Sequence, residues 1–177
     1  FHGVNGQDQQ VAIALDAGSG KELWAMPLGK AVHDTSGGNG PRSTPTVDGS
    51  RVYLFDGHTV LTCLDTATGA KVWQHDLVAE FAGQVIRWFS AASPIVEQDL
   101  VVVHGGGPGQ AFLAFNKSDG RVIWKSGNDK PTHATGVPAT IQGVRQIVFF
   151  AQGGLVSIAP ATGKELWRQS YPYVTST

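Results

Sequence analysis

Four copies of one short pattern constrain this chain more than any other feature: ALDAGSGKELW at 14–24, CLDTATGAKVW at 63–73, AFNKSDGRVIW at 114–124 and IAPATGKELW at 158–167. Each ends in a tryptophan, and Trp24, Trp73, Trp124 and Trp167 lie 49, 51 and 43 residues apart. A repeat of that length means a stacked array of similar supersecondary units. Each copy also sets a glycine four residues before its tryptophan, at Gly20, Gly69, Gly120 and Gly163. Glycine takes the positive φ of a tight turn without steric cost, and the Asp or Asn that opens three of the copies can hydrogen-bond its own backbone there. The pattern therefore predicts a hairpin between two strands, repeated four times.

The residue before each tryptophan is aliphatic (Leu23, Val72, Ile123, Leu166). Successive strand residues point to opposite faces, so an apolar pair predicts a strand buried on both sides. Val52 to Phe55, Leu100 to Val103 and Ile147 to Phe150 predict the same. A second element recurs ahead of each complete unit: Ser43-Thr44-Pro45-Thr46-Val47, Ala92-Ser93-Pro94-Ile95-Val96 and Gly136-Val137-Pro138-Ala139-Thr140. Proline there marks a strand start or an unpaired edge, as at the innermost strand of a propeller blade. A blade of four strands takes roughly 40 to 50 residues. The prediction is an all-β chain, a β-propeller of four-stranded antiparallel blades at 43–78, 91–126 and 135–170. Residues 1–29 would be the remnant of a preceding blade and 171–177, with Val174 to Thr177, the start of another, so about three and a half blades are present.

Composition agrees with this and excludes other classes. With 41% apolar and 15% charged residues the chain has the makeup of a folded protein, and its 23 glycines and 9 prolines are scattered as punctuation between short strands. Thirteen basic against 14 acidic residues give a formal charge of −1 with no basic stripe, so nucleic acid is not expected as a partner. No apolar run approaches the roughly 18 to 20 residues of a membrane-spanning helix. Cys63 is the single cysteine, which rules out an intrachain disulfide or a thiolate zinc cluster within these residues. The chain begins at Phe1 and nothing after it resembles a signal peptide, so a processed or truncated piece without its targeting signal is expected.

The tryptophan signature, together with GNGPRSTPTVDGSRVY at 38–53 and RWFSAASPIVEQDLVVVHGGGPG at 87–109, resembles the pyrroloquinoline-quinone (PQQ) repeat β-propellers of bacteria. That family takes in quinoprotein alcohol dehydrogenase-like and BamB-like repeat proteins, and the resemblance covers nearly the whole chain. It implies a ring of seven or eight blades, so the remaining blades would come from the same longer chain or from a second copy. It implies that Trp24, Trp73, Trp124 and Trp167 dock between neighbouring blades, and a periplasmic or extracellular location. Because a shared fold does not fix function, two functions stand side by side. The first is a non-catalytic scaffold for binding or assembly, with a protein or glycan partner. The second is part of a PQQ-dependent quinoprotein dehydrogenase oxidising alcohols or sugars, with the quinone on a tryptophan floor beside a calcium held by Glu, Asn and Asp. Many such enzymes place two adjacent cysteines over the cofactor, whereas Cys63 stands alone. No cofactor is evident from the residues themselves, and PQQ and calcium enter by resemblance only.

Candidate site residues come from the segments that join one blade to the next, 39–43, 87–93 and 132–137. They precede the innermost strands, so their side chains are expected at one mouth of the channel, where Arg42, Arg87, Trp88 and His133 are placed to bind an anion or a flat ring. The competing reading has Arg42 and Arg87 tying blades together through carbonyls or carboxylates. Gly105 to Gly109 lacks the Gly-Lys-Ser/Thr ending of a phosphate loop and reads as a hairpin loop. Asp16 to Gly20 imitates a calcium loop but occupies the repeat's turn. No metal site is expected, since the six histidines lack ligand spacing; His104 and His133 near the mouth read as solvated loop residues. No Gly-x-Ser-x-Gly elbow is present, and the sequon Asn116-Lys117-Ser118 falls on the repeat's turn.

Overall fold

Every tryptophan motif folds as the outer hairpin of an antiparallel sheet, and four such sheets follow one another along the chain. The structure, a computed structural model, describes residues 2–4, 6, 8–35 and 38–171. The expected start of a further blade at Val174 to Thr177 lies outside the described residues. Sheet one holds β1 (His2–Val4), β2 (Gln9–Leu15) and β3 (Glu22–Lys30). Sheet two runs β4 (Thr46–Asp48), β5 (Arg51–Phe55), β6 (Val60–Asp65) and β7 (Lys71–Asp76), followed by a short helix, α1 (Leu77–Phe81). Sheet three is β8 (Ile95–Glu97), β9 (Leu100–His104), β10 (Phe112–Asn116) and β11 (Val122–Ser126). Sheet four is β12 (Val137–Ile141), β13 (Val144–Ala151), β14 (Gly154–Ile158) and β15 (Glu165–Ser170). Strands lie in chain order within each sheet, and the proline-marked β4, β8 and β12 are edge strands that touch one another from sheet to sheet. This is the radial stacking of β-propeller blades.

The core lies between blades. Val52, Leu54 and Leu64 pack with Ala12 of sheet one, while Tyr53, Phe55, Cys63 and Trp73 point the other way, onto Val101, Val103, Leu113 and Phe115. Val102, Phe112, Ala114 and Trp124 in turn meet Ile147, Phe149, Val156 and Ile158. Middle strands are thus apolar on both faces, as their continuous hydrophobic runs predict.

The outermost strands depart from that expectation. Leu23, Val72, Ile123 and Leu166 are exposed, from 39% to 64%. In every sheet the register slips by one at this point: Cys63 pairs with Trp73 but Leu64 with Lys71, and Ala114 pairs with Trp124 but Phe115 with Val122. Sheets one and four repeat the slip at Leu23 and Leu166. The aliphatic residue is the extra residue of a β-bulge, unpaired and turned outward, so simple alternation fails there.

The bulge aims each tryptophan at the following blade. Trp24 Nε1 donates to the Thr66 carbonyl at 2.9 Å, Trp73 Nε1 to that of Lys117 at 3.3 Å and Trp124 Nε1 to that of Pro160 at 2.8 Å. The ring rests on the glycine of the receiving turn: a β-carbon at Gly69, Gly120 or Gly163 would stand 2.4–2.7 Å from it. These glycines therefore serve both the positive φ and the close approach. Trp167 differs. It is 36% exposed and its Nε1 donates to Gln146 Oε1 at 2.6 Å, because no described residue supplies a blade beyond it.

Candidate functional site

The segment between sheets two and three carries two of the expected site residues, Arg87 and Trp88. Asp76 caps α1 by accepting from the Val78 and Ala79 amides at 2.9 and 3.1 Å, and Ala82 ends it in the left-handed region. Leu77 and Phe81 are buried, which anchors the helix ahead of residues 82–90.

Trp88 and Phe89 are consecutive aromatics at φ 64° and 65°. Each such residue costs about 1–3 kcal/mol and persists only where its surroundings impose it. Phe89 is the anchor: its ring lies 5.3 Å from that of His58 edge to face, and its β-carbon lies 3.1 Å from where one on Gly57 would stand. Trp88, like Phe89, is half-buried. The Arg87 guanidinium lies 4.4 Å over the Trp88 ring, and the His133 ring is 6.3 Å away. An exposed stack of this kind gains about 0.5–1 kcal/mol.

Arg42 is held back. It donates to the Gly40 and Gly38 carbonyls and to Asp34 at 3.1, 2.8 and 3.2 Å, and its guanidinium lies 5.9 Å from the Phe89 ring. It is held within its own loop, while Arg87 is exposed and Trp88 and His133 are half-buried beside it.

Arg87 stands on the ridge between two clefts. One, of about 320 Å³, runs between Val85, Ile86, Gly107, Asn128, Lys130 and Gln152. The other is shallower, about 540 Å³, with His33, Asn39, Trp88 and Phe89 on its walls. Among the described residues neither Arg87 nor Lys130 forms an ion pair. Asp129, the acid beside Lys130, is engaged by Arg168 at 2.6 and 3.0 Å, which keeps its carboxyl below the usual range. The ridge is thus cationic and aromatic.

Gly105 to Gly109 connects β9 to β10, as a hairpin loop should. Its amides are already used: those of Gly105 and Gly106 donate to the Ala111 carbonyl, that of Gly107 to Phe81 and that of Gly109 to Asn128. A β-carbon at Gly107 would stand 2.4 Å from the Ala82 carbonyl, so the glycine lets the loop pack on the inserted segment. The Asp16 turn is likewise structural, with Asp16 Oδ1 accepting from the Ser19 amide and hydroxyl at 2.8 and 2.7 Å.

The solvated reading of His104 is overturned. It is buried against Phe112 at 4.3 Å, with Nε2 2.8 Å from the Asp129 carbonyl, and burial lowers its pKa to about 4. Among the described residues no three His, Cys, Asp or Glu side chains converge as a metal site would require. Sequence reasoning missed Phe89 and Lys130. The triplet Arg87-Trp88-Phe89 was the available signal for Phe89.

A family model described as outer membrane protein assembly factor BamB matches residues 7–176. The outer membrane protein assembly factor BamB of Yersinia pestis is 25% identical over 167 residues, which cover 92% of this chain and 39% of that protein. The chain thus spans about two fifths of this curated relative. Among solved structures, BamB from Moraxella catarrhalis superposes with a TM-score of 0.63 at 16% identity, covering 97% of this chain and 51% of that one. Quinohemoprotein alcohol dehydrogenase from Comamonas testosteroni gives a TM-score of 0.69 at 15% identity, over 94% of this chain and 33% of that one. At such identities these two structures carry the fold alone.

Proposed function

The chain belongs to the outer membrane protein assembly factor BamB family of PQQ-repeat β-propellers, and from that premise we propose that it is a non-catalytic stretch of an assembly scaffold. Its partner is a protein, held on the Arg87–Trp88 ridge. The observation that carries this reading is the guanidinium stacked 4.4 Å over Trp88, on a strained aromatic pair between two clefts. Strain of that kind is retained where a side chain must be presented. Tryptophan and arginine are the residues that most often dominate protein interfaces. The unpaired charges of Arg87 and Lys130 select a partner segment that carries carboxylates beside apolar side chains. By its relatives' names the partner belongs to the machinery that assembles outer membrane proteins, and the scaffold works in the cell envelope, on the periplasmic side.

No helix among the described residues is long and apolar enough to cross a membrane. The test is binding of the chain to the purified outer-membrane assembly complex of its host. Arg87→Glu and Trp88→Ala should each weaken it about tenfold or more, the equivalent of about 1.4 kcal/mol, while Leu23→Ala on the far rim leaves it unchanged. Equal affinity for all of these would refute the ridge. Turnover of an alcohol or sugar in a dye-linked assay with added quinone and calcium would refute the scaffold.

A further inference from the structure

The cleft of about 320 Å³ beside Arg87 has a floor that is bonded to both of its walls. The floor is the glycine-rich stretch 105–109. On one side the Gly107 amide donates to the Phe81 carbonyl at 2.8 Å, which ties it to the end of α1 and so to the wall 82–87 that follows. On the other side the Gly109 amide donates to Asn128 Oδ1 at 2.8 Å, at the start of the wall 128–131. That second wall is held from behind: the Gln152 amide donates to the Lys130 carbonyl and its side-chain Nε2 to that of Pro131, both at 3.1 Å. Glycine is needed for the close approach, since a β-carbon at Gly106 would run into the Gln110 carbonyl and one at Gly107 into that of Ala82. The cleft is therefore preformed, and its volume falls at the small end of the range for ligand pockets, about 300–1,000 Å³.

Its chemistry is one-sided. Val85, Ile86, Pro108 and Pro131 make the walls apolar, and Arg87 and Lys130 stand on them. Neither cation forms an ion pair among the described residues. Asp129, the acid of these walls, does not cancel them: Arg168 takes both of its carboxylate oxygens at 2.6 and 3.0 Å, and 10% of its side chain is exposed. Asn128 adds an NH2 donor, its oxygen being held by Gly109. Two uncompensated cations beside apolar walls select an anion carried on an apolar body. A guanidinium fits a carboxylate through two parallel hydrogen bonds, and the lysine supplies a second charge to it.

The geometry points to this cleft as a binding site for a small apolar monocarboxylate, with Arg87 and Lys130 on the carboxylate and Val85, Ile86, Pro108 and Pro131 around the apolar body. Arg87 is shared with the partner ridge, where it stacks on Trp88. The pocket nevertheless requires no partner and is tested on the chain alone. A failed partner assay leaves the pocket standing, and failure of the pocket leaves the ridge standing.

Phenylacetate, phenylacetamide and acetate are titrated separately into the 177-residue chain, and binding is followed by backbone amide chemical shifts. Phenylacetate should bind saturably, with the shifts centred on residues 84–87, 106–109 and 128–131. Phenylacetamide lacks the charge and acetate lacks the apolar body, so each should bind about tenfold more weakly. Lys130→Met keeps an apolar stem and removes the charge; it should raise the phenylacetate dissociation constant about tenfold while its circular dichroism stays that of the parent. Arg87→Met should act alike. Lys164→Met, at an exposed lysine that does not line the cleft, is the control and should bind as the parent does. Absence of saturable binding, equal affinity for all three solutes, shifts centred elsewhere, or indifference to Lys130→Met and Arg87→Met would each overturn the inference.

Discussion

Trp73 rests on Gly120: a β-carbon at that glycine would stand 2.7 Å from the indole, whose N–H reaches the Lys117 carbonyl at 3.3 Å. The same carbonyl accepts the Tyr53 hydroxyl at 2.9 Å, so one backbone oxygen joins two blades through two aromatic residues. Several consequences can be measured.

Gly120→Ala should be far worse than an alanine at an equally left-handed but open glycine. Gly49, at φ 56° with nothing within 4 Å, carries only the conformational cost of about 1–2 kcal/mol. Gly120→Ala adds overpacking against the indole, about 1–3 kcal/mol more. Urea denaturation of the two variants checks the difference, and equal losses would show that the ring yields freely.

Trp73→Ala and Trp124→Ala should each cost about 3–5 kcal/mol, the range for large buried aromatics, since both are over nine-tenths buried. Tyr53→Phe should lose only about 0.5–1.5 kcal/mol, one hydrogen bond with the ring retained. A tryptophan loss under about 1 kcal/mol would contradict the docking.

Acid should weaken the fold through His104. Its folded pKa is lowered by burial to about 4, against about 6.5 unfolded. Between those values the unfolded chain binds the extra proton, so stability falls as pH drops from about 6.5 towards about 4, by up to about 1.4 kcal/mol per unit. Above about 6.5 the group has no effect. Asp56, raised by burial, acts in the opposite sense, which makes the His104→Gln variant the useful comparison. Its denaturation midpoint should change less between pH 7 and pH 5 than the parent's; matching changes would exclude His104 as the cause.

Cys63 should be silent in the native protein. It is fully buried and its thiol is pushed up to about 12, leaving a thiolate fraction at pH 8 on the order of 10⁻⁴. A thiol reagent should label it only after unfolding, at a rate that tracks global opening. Prompt labelling of folded chain would place the thiol elsewhere.

The blade repeat was legible because its signals are local. A glycine at the turn, an Asp or Asn that caps it and a proline at an edge strand each act within a few residues. Continuous apolar strands such as Val52 to Phe55 announced burial on both faces for the same reason. The bulge at Val72 was not legible, since an aliphatic residue reads alike whether it continues the alternation or is expelled from it. His104 was misread because polarity in a short motif says nothing of the Phe112 and Phe149 rings that cover it. Of the candidate site, the identities Arg87, Trp88 and His133 came from their place between blades. That Arg42 is consumed by its own loop, and that Phe89 anchors Trp88, came from tertiary contacts.

By itself the sequence determined the all-β class, the blade period and the turn at each glycine, because these follow from backbone preference and hydrophobic spacing along a few consecutive residues. Only the tertiary structure decided what the glycines receive and that the Phe89 ring meets His58 edge to face. Those depend on residues some 30 or more positions apart being brought within contact distance, and no local propensity encodes that distance.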